Sequence, residues 1–432
     1  MDVDGRIQAR RAIEALRAGV PNRDAVIALG SAHPEIEEAF RAELSEAREH
    51  GPEARMPAGF LVAGNFGTGK SHLLEYLQQI ALEQGFVVSK VIISKETPLY
   101  DPVKVYRAAI GAAVAPGRVG AALTQIAGEL RFDSPGWTEF SRWLHGPTAG
   151  LNQRFAATAF LYEHARQNPE LRDRIVAFWA GDPIQIGEIK TALRELGQRV
   201  TYAFERVGVR QLAYERFRFV PRLLMAASLA GWVLLFDEVD LVARYTLIQR
   251  GKSYAEIARW TGHVKEETFP GITPVLAITS AYEAEVLDGR NDREAVPGKL
   301  LLSTREPERQ LAGQAERGMR LIVKAMRLAP PSRETIDRTH ETVRALHGRA
   351  YGWDPPPATT AGERLASTRM REYVRSWINE WDLRRLDPSY QPEIEVTAVA
   401  PSYGEDADFQ RESVAEEFER GAATTPEDSL EP

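Results

Sequence analysis

Apolar positions along the chain follow two rhythms. Between residues 5 and 50 they recur every three to four positions in three stretches, GRIQARRAIEALRAG, NRDAVIALG and PEIEEAFRAELSEAREHG, each ending near glycine. That spacing predicts amphipathic helices. Residues 60–63 (FLVA) form a short continuous apolar run, a buried strand that enters a glycine-rich loop. Residues 71–83 return to helical spacing, with Leu73, Leu74, Leu77 and Ile80 on one side. GFVVSKVIIS, residues 85–94, is β-branched and bounded by turn signals, which predicts a second strand. From about 102 to 230 the pattern is helical almost throughout, clearest in DPVKVYRAAIGAAV, NQRFAATAFLYEHARQ, NPELRDRIVAFWAG and IGEIKTALRELG. A third strand follows at WVLLFDE and a fourth at TPVLAITSA, with the polar helical stretch SYAEIARWTG between them. RLIVKAMRL, residues 320–328, reads as a fifth strand. The segments PSRETIDRTHETVRALHGRAYGW and STRMREYVRSWINEWDLRRL are helical and separated by DPPPATTAG.

Strands alternating with helices predict an α/β fold around a five-stranded, mostly parallel sheet. The expected organisation is an N-terminal helical segment (1–55), an α/β core (56–330) interrupted by a large helical insertion (about 102–230), a C-terminal helical lid (331–390) and an acidic, disordered tail (391–432). No repeat at a period of 20–50 residues is visible.

Charge sharpens that division. The net charge is −7, but the segment from Ser389 onward holds 12 acidic and 2 basic residues. The preceding body carries 49 acidic against 52 basic residues and is nearly neutral. Arginine outnumbers lysine 45 to 9, the bias of a G+C-rich genome. Cysteine is absent, which excludes disulfides and thiolate metal sites. The N-terminus lacks the apolar segment of a secretory signal, and the longest uncharged apolar run, residues 223–236, is 14 residues long. Spanning a bilayer takes roughly 20. A cytoplasmic protein without a membrane partner is expected.

The glycine loop carries the chemistry. GNFGTGKS, residues 64–71, fits G-x-x-x-x-G-K-[ST] through Gly64, Gly69, Lys70 and Ser71. Glycines let the chain curl so that successive backbone N–H groups point inward as an anion nest, and the following helix adds its positive end. A strand before and a helix after are the context this motif requires. Gly64, Asn65, Phe66, Gly67, Thr68, Gly69, Lys70, Ser71 and His72 are therefore candidates to bind a nucleotide. Lys70 would reach the β- and γ-phosphates, and the Ser71 hydroxyl would ligate Mg²⁺.

Hydrolysis needs a second element. In WVLLFDEVD a buried strand delivers Asp237 and Glu238 at its C-terminal end, where ligands gather in open α/β sheets. Asp237 would hold Mg²⁺ through water, and Glu238 would polarise the attacking water as general base. Thr279 or Ser280, at the end of VLAITS, could orient the same water. Such a strand marks the phosphate-loop proteins that carry an extra strand between the loop strand and the acidic strand. Arginines complete these sites by stabilising transition-state charge. Arg369, at a helix start in the C-terminal region, could reach the γ-phosphate from a lid. Arg317 and Arg320 precede the fifth strand, where a finger toward a neighbouring subunit is expected, and Arg244 follows the acidic motif. The sequence holds no nucleophile elbow, kinase signature, metal-ligand spacing of its 8 histidines or zinc finger.

With these residues assembled, the chain resembles the BrxC/BrxD ATP-binding domain family of BREX bacteriophage-exclusion systems. The resemblance rests on ARRAIEALRAGVPNRDAVIALG (9–30), GNFGTGKSHLL (64–74), LLFDEVDLVARY (234–245) and MREYVRSWINEWDLRRL (370–386), and the length suits the shorter type of member. It implies an AAA+-like, origin-recognition-like ATPase with ATP and Mg²⁺ as cofactors, expected to be a homo-oligomer. It also implies work beside helicase- or methyltransferase-type defence subunits, with double-stranded DNA as a candidate ligand. By position, Gly64, Gly69, Lys70 and Ser71 match the family's nucleotide loop, and Asp237 and Glu238 its Mg²⁺ and water-activating acids. Thr279 and Arg369 match approximately.

Overall fold

The computed structural model describes residues 3–20, 22–50, 59–65, 67–118, 120–198, 202–264, 269–358 and 370–391. The expected tail beyond 391 lies outside them. Three helices open the chain, α1 (Val3–Ala18), α2 (Arg23–Leu29) and α3 (Pro34–His50). Strand β1 (Phe60–Ala63) runs through the glycine loop into α4 (Lys70–Glu83), and β2 (Val87–Ile92) follows. The next stretch is helical: α5 (Pro102–Gly111), α6 (Ala122–Gly128), α7 (Pro135–Leu144), α8 (Gln153–His164), α9 (Pro169–Ala180), α10 (Ile186–Glu195) and α11 (Val209–Ala226). One two-residue strand, β3 (Ala113–Val114), interrupts it. Then come β4 (Trp232–Asp237), α12 (Leu247–Trp260), β5 (Ile272–Ile278), α13 (Asp292–Leu301), α14 (Glu306–Gln310), α15 (Ala312–Val323) and β6 (Met326–Arg327). Helices α16 (Arg333–Tyr351) and α17 (Met370–Leu386) close the described chain.

Local chemistry sets many of these boundaries. Asn22, Asp101, Ser134, Asn152, Asn168 and Ser332 each accept a backbone N–H in the first turn of the helix they precede. Thr246 and Gln249 form a reciprocal capping box at the start of α12.

The sheet has six strands in the order β3-β2-β4-β5-β1-β6. All neighbours are parallel except β3, which pairs antiparallel with β2 at the edge. Strand β5 lies between β1 and β4, so the loop strand and the acidic strand are not neighbours, as the motif order implied. The strand count differs from the expected five. The fifth strand expected at 320–328 also begins as helix, through Val323, and only Met326 and Arg327 are strand, beside Val62 and Ala63. Its apolar residues keep helical spacing: Ala312, Ala315, Met319 and Ile322 are buried along one face of α15. The β-branched pair Ile322-Val323 gives the misleading strand signal.

Alternation along each strand divides the interior in two. Trp232, Leu234 and Phe236 of β4 join the core built with the insertion, α12 and α15. Val233 and Leu235 join Val62, Val88, Val275 and Ala277 against α3 and α4. The sheet is thus covered on both faces, as a parallel sheet requires. A third core lies apart from it. Ala9, Ala12, Ile13 and Leu16 of α1 pack with Val343 and Leu346 of α16 and with Trp377, Ile378 and Trp381 of α17. The two ends of the described chain therefore share one helical bundle. Among the described residues, no helix is long and apolar enough to cross a membrane.

Candidate nucleotide site

Three parallel strands deliver the site. Ala63 of β1 is in register with Ile278 of β5, and Phe236 of β4 with Leu276 of β5. Their C-terminal ends therefore place the glycine loop, Ser280 and the Asp237–Glu238 pair along one sheet edge. The loop is closely wound. Gly67 and Gly69 adopt φ of +81° and +103°, in the left-handed region that glycine tolerates. A Cβ at Gly64 would stand 2.6 Å from the Thr68 hydroxyl. Thr68 donates from both its backbone N–H (3.2 Å) and its hydroxyl (2.8 Å) to the Asn65 carbonyl. Gly64 N–H donates to the Ile278 carbonyl at 3.1 Å, tying the loop entry to β5.

Lys70, the first residue of α4, folds back over the loop. Its Nζ donates to the carbonyls of Gly64 (2.7 Å) and Asn65 (3.4 Å). Burial lowers its pKa, while the negative charges of Asp240, Glu238 and Asp237 oppose that shift. Ser71 is half-buried beside it. The ring of His72 is committed elsewhere: its Nε2 donates to the Gly30 carbonyl at 2.9 Å, joining α4 to the C-terminal end of α2. Burial lowers the His72 pKa, against the opposing effect of its bond to Gly30.

The acidic pair ends β4. Asp237 is buried; its Oδ1 accepts the Glu238 backbone N–H at 3.0 Å and its Oδ2 meets Lys90 Nζ at 3.3 Å. Lys90 comes from β2 and was not singled out from the sequence. Glu238 sits at φ +59°, one of three described non-glycine residues with positive φ. Such a conformation is sparsely populated and recurs at functional sites. Burial raises the Glu238 pKa, and the charges of Asp240 and Asp237 add to it.

At the tip of β5, Ser280 rather than Thr279 meets the loop. The Ser280 hydroxyl donates to Asn65 Oδ1, whereas Thr279 is buried at the strand end. Two residues on, Tyr282 is pinned by Tyr254 (3.0 Å), whose hydroxyl donates to Asp292 at 2.6 Å. Arg250 closes this buried network with two bonds to Asp292 at 2.9 and 3.0 Å. These bonds fix β5 against α12 and α13.

Phe66 and Arg369 lie outside the described residues. Arg371, in the first turn of α17, is the arginine from that region whose charge reaches Lys70. Its side chain runs over Gly19, where an added Cβ would meet Arg371 Cδ at 3.2 Å. Arg371 stands two residues after the expected Arg369, in the same STRMREYV cluster. Arg317 donates to the His263 carbonyl, and Arg320, in α15, pairs with Glu316 at 3.7 Å. Arg244 ends the turn after β4, where its charge acts on Asp240.

The first 130 residues hold α1 to α4, the loop and β2, and they carry the decisive comparison. Residues 6–130 match the family described as BREX system ATP-binding protein BrxC/D. The matched span includes the whole glycine loop and ends before β4 and β5, and it does not separate the BrxC type from the BrxD type. No curated protein and no solved structure matches the chain.

Residues present at the loop suit a nucleotide with Mg²⁺. The cradle is backbone, the donors at its edge are hard oxygens, and one buried carboxylate oxygen, Asp240 Oδ1, is unpartnered. Among the described residues, no three acidic or histidine side chains converge as a metal cage. Mg²⁺ bound with a nucleotide uses one or two carboxylates together with phosphate oxygens and water, so a cage is not required.

Proposed function

We propose that this chain binds ATP with Mg²⁺ at residues 64–72 and hydrolyses it with Glu238 as general base, as the ATPase of a BREX-type phage-defence system. The observation that carries this reading is the meeting of the wound glycine loop, Asp237–Glu238 and Ser280 at one end of a parallel sheet. The family match over the loop supports the ATP-binding part.

The residues divide the work. Backbone N–H groups of Gly67, Gly69, Lys70 and Ser71 would cradle the phosphates, and Lys70 would leave the carbonyls of Gly64 and Asn65 to pair with them. The Ser71 hydroxyl and Asp237 would hold Mg²⁺, which neutralises charge on the β- and γ-phosphates. Lys90 holds the Asp237 carboxylate in place. Glu238 would accept the proton of the attacking water, and Ser280 would help to orient it. Arg371, carried by α17, is the lid arginine of this reading, and Arg320 is the candidate finger toward a neighbouring copy. Turnover would be coupled to DNA or to partner defence subunits through movement of the terminal bundle.

Hydrolysis by purified protein, wild type beside Glu238→Gln, tests this directly. Loss of one catalytic base should lower kcat by about 100-fold or more while ATP binding is retained. Stimulation by DNA would indicate action on DNA, and a steep rise with protein concentration a site shared between copies. ATP binding without turnover in the wild type would make the chain a non-hydrolysing scaffold instead.

A further inference from the structure

Helix α12 carries a buried cation to which the hydrolysis above gives no role. Arg250 and Asp292 are both buried, and the guanidinium meets the carboxylate as a fork, Nε to Oδ2 at 2.9 Å and Nη2 to Oδ1 at 3.0 Å. Desolvation offsets most of the attraction within such a pair, so it is a poor source of stability and a good source of fixed geometry. The neighbouring bonds show what it fixes. Arg250 Nη1 donates to the Tyr245 carbonyl at 2.8 Å, at the end of the turn Val239–Arg244 that Glu238 opens. Asp292 starts α13, just past the π-helical turn Glu283–Asp288 that follows Ser280. Tyr254, one turn further along α12, donates to Asp292 at 2.6 Å and meets the Tyr282 hydroxyl at 3.0 Å. The same edge of the sheet is crossed again where Arg290 donates to the Ala243 carbonyl, and where the Tyr245 hydroxyl donates to the Ser94 carbonyl, beyond β2, at 3.2 Å. Segments leaving β2, β4 and β5 are thus tied to one another, and Ser280 continues the ties to Asn65 of the glycine loop.

We propose that Arg250 is a positioning residue for hydrolysis: its guanidinium holds the turn that carries Glu238 at a fixed spacing from the segment that carries Ser280, so that base and hydroxyl bear on one water. This deepens the ATPase reading and rests on it. Binding of the nucleotide by the glycine loop does not use that spacing, so the role falls on turnover and not on affinity. Lysine brings the same charge to Asp292, but a point charge does not span two carboxylate oxygens and the Tyr245 carbonyl together. If Arg250 only neutralised Asp292, lysine would replace it. If Arg250 sets the spacing, lysine would not.

That difference sets the experiment. ATP affinity and kcat are measured on the full chain for wild type, Arg250→Lys and Tyr254→Phe, each alone and combined with Glu238→Gln, with Tm as a check of folding. Misplacing a reacting group by about 1 Å costs up to about 100-fold in rate. Arg250→Lys should therefore lower kcat by about tenfold or more while ATP affinity is unchanged. Combined with Glu238→Gln it should cost little more, because the base that it positions is already gone. Tyr254→Phe removes one hydroxyl and no charge, and it should lower kcat in the same way. If Arg250→Lys does not fold, that variant carries the proposal. A lower Tm with the kcat of wild type, an affinity lowered as much as kcat, or the same loss with and without Glu238 would overturn the proposal and leave the ATPase reading standing. A wild type that binds ATP without turning it over would overturn both.

Discussion

At the residue scale, Asp240 makes stability depend on pH in a direction opposite to that of a salt-bridged acid. Burial raises the pKa of Asp240 above the ordinary aspartate value, and the fold therefore favours the protonated form. In the window from that ordinary value, about 3.8, up to the raised one, the native state binds more protons than the unfolded state. Stability contributed by the neutral acid is present at low pH and is lost as pH rises through the folded value. Asparagine resembles the neutral acid and titrates nowhere. Asp240→Asn should thus raise Tm at neutral pH without nucleotide, and the gain should vanish below about pH 4. A variant equally destabilised at every pH would show instead that the anion is held by a partner. The winding of the loop was legible because it is written in local backbone chemistry, with two positive-φ glycines in fixed order before a lysine and a hydroxyl. Lys90, Arg371 and Asp240 were not. Lys90 meets its partner only across the fold, and one sequence does not state that the β2 lysine will face the β4 aspartate.

At the element scale, the strands and most helices follow from periodicity, and α15 shows where periodicity misleads. Its Ile322-Val323 pair has strand character, yet what decides is the fit against α12. A Cβ at Gly318 would lie 1.8 Å from the Tyr254 carbonyl oxygen. That obstacle is backbone, so no rotamer change relieves it. Gly318→Ala should cost about 3 kcal/mol through displaced packing, read as a lower urea midpoint. Gly313 sits in the same helix with nothing within 4 Å of an added Cβ. Gly313→Ala should stabilise by about 0.5–1 kcal/mol, as expected for glycine replaced in an exposed helix. If both substitutions had the same sign, the close approach of α12 and α15 would not be what selects glycine at 318. Glycine spacing alone does not distinguish the two positions; only the neighbouring helix does.

At the scale of the molecule, the two ends of the described chain are coupled through one core beside the nucleotide site. Arg17 of α1 donates to Asp382 of α17 at 2.6 Å and to Tyr351 of α16 at 3.1 Å. Arg6 and Arg10 both reach the Ala350 carbonyl. Trp377 and Trp381 are fully buried, and Trp381 donates to the Pro356 carbonyl at 2.8 Å. Sequence order separates these helices by more than 300 positions, and for that reason their association was not readable from periodicity. The bundle also meets α4 where His72 bonds to Gly30, and the charge of Arg371 acts on Lys70. Removing a fully buried tryptophan ring leaves a cavity and costs about 3–5 kcal/mol. If the bundle is one cooperative unit, that loss is felt by all its helices and not by the sheet. In Trp377→Ala, backbone amides of α1 and α16 should exchange with solvent faster together with those of α17, while β4 and β5 keep their protection. Hydrogen exchange resolved by peptide measures this. Fast exchange in α17 with α1 unchanged would mean that the two ends move independently, and that binding at the loop has no single bundle to act on.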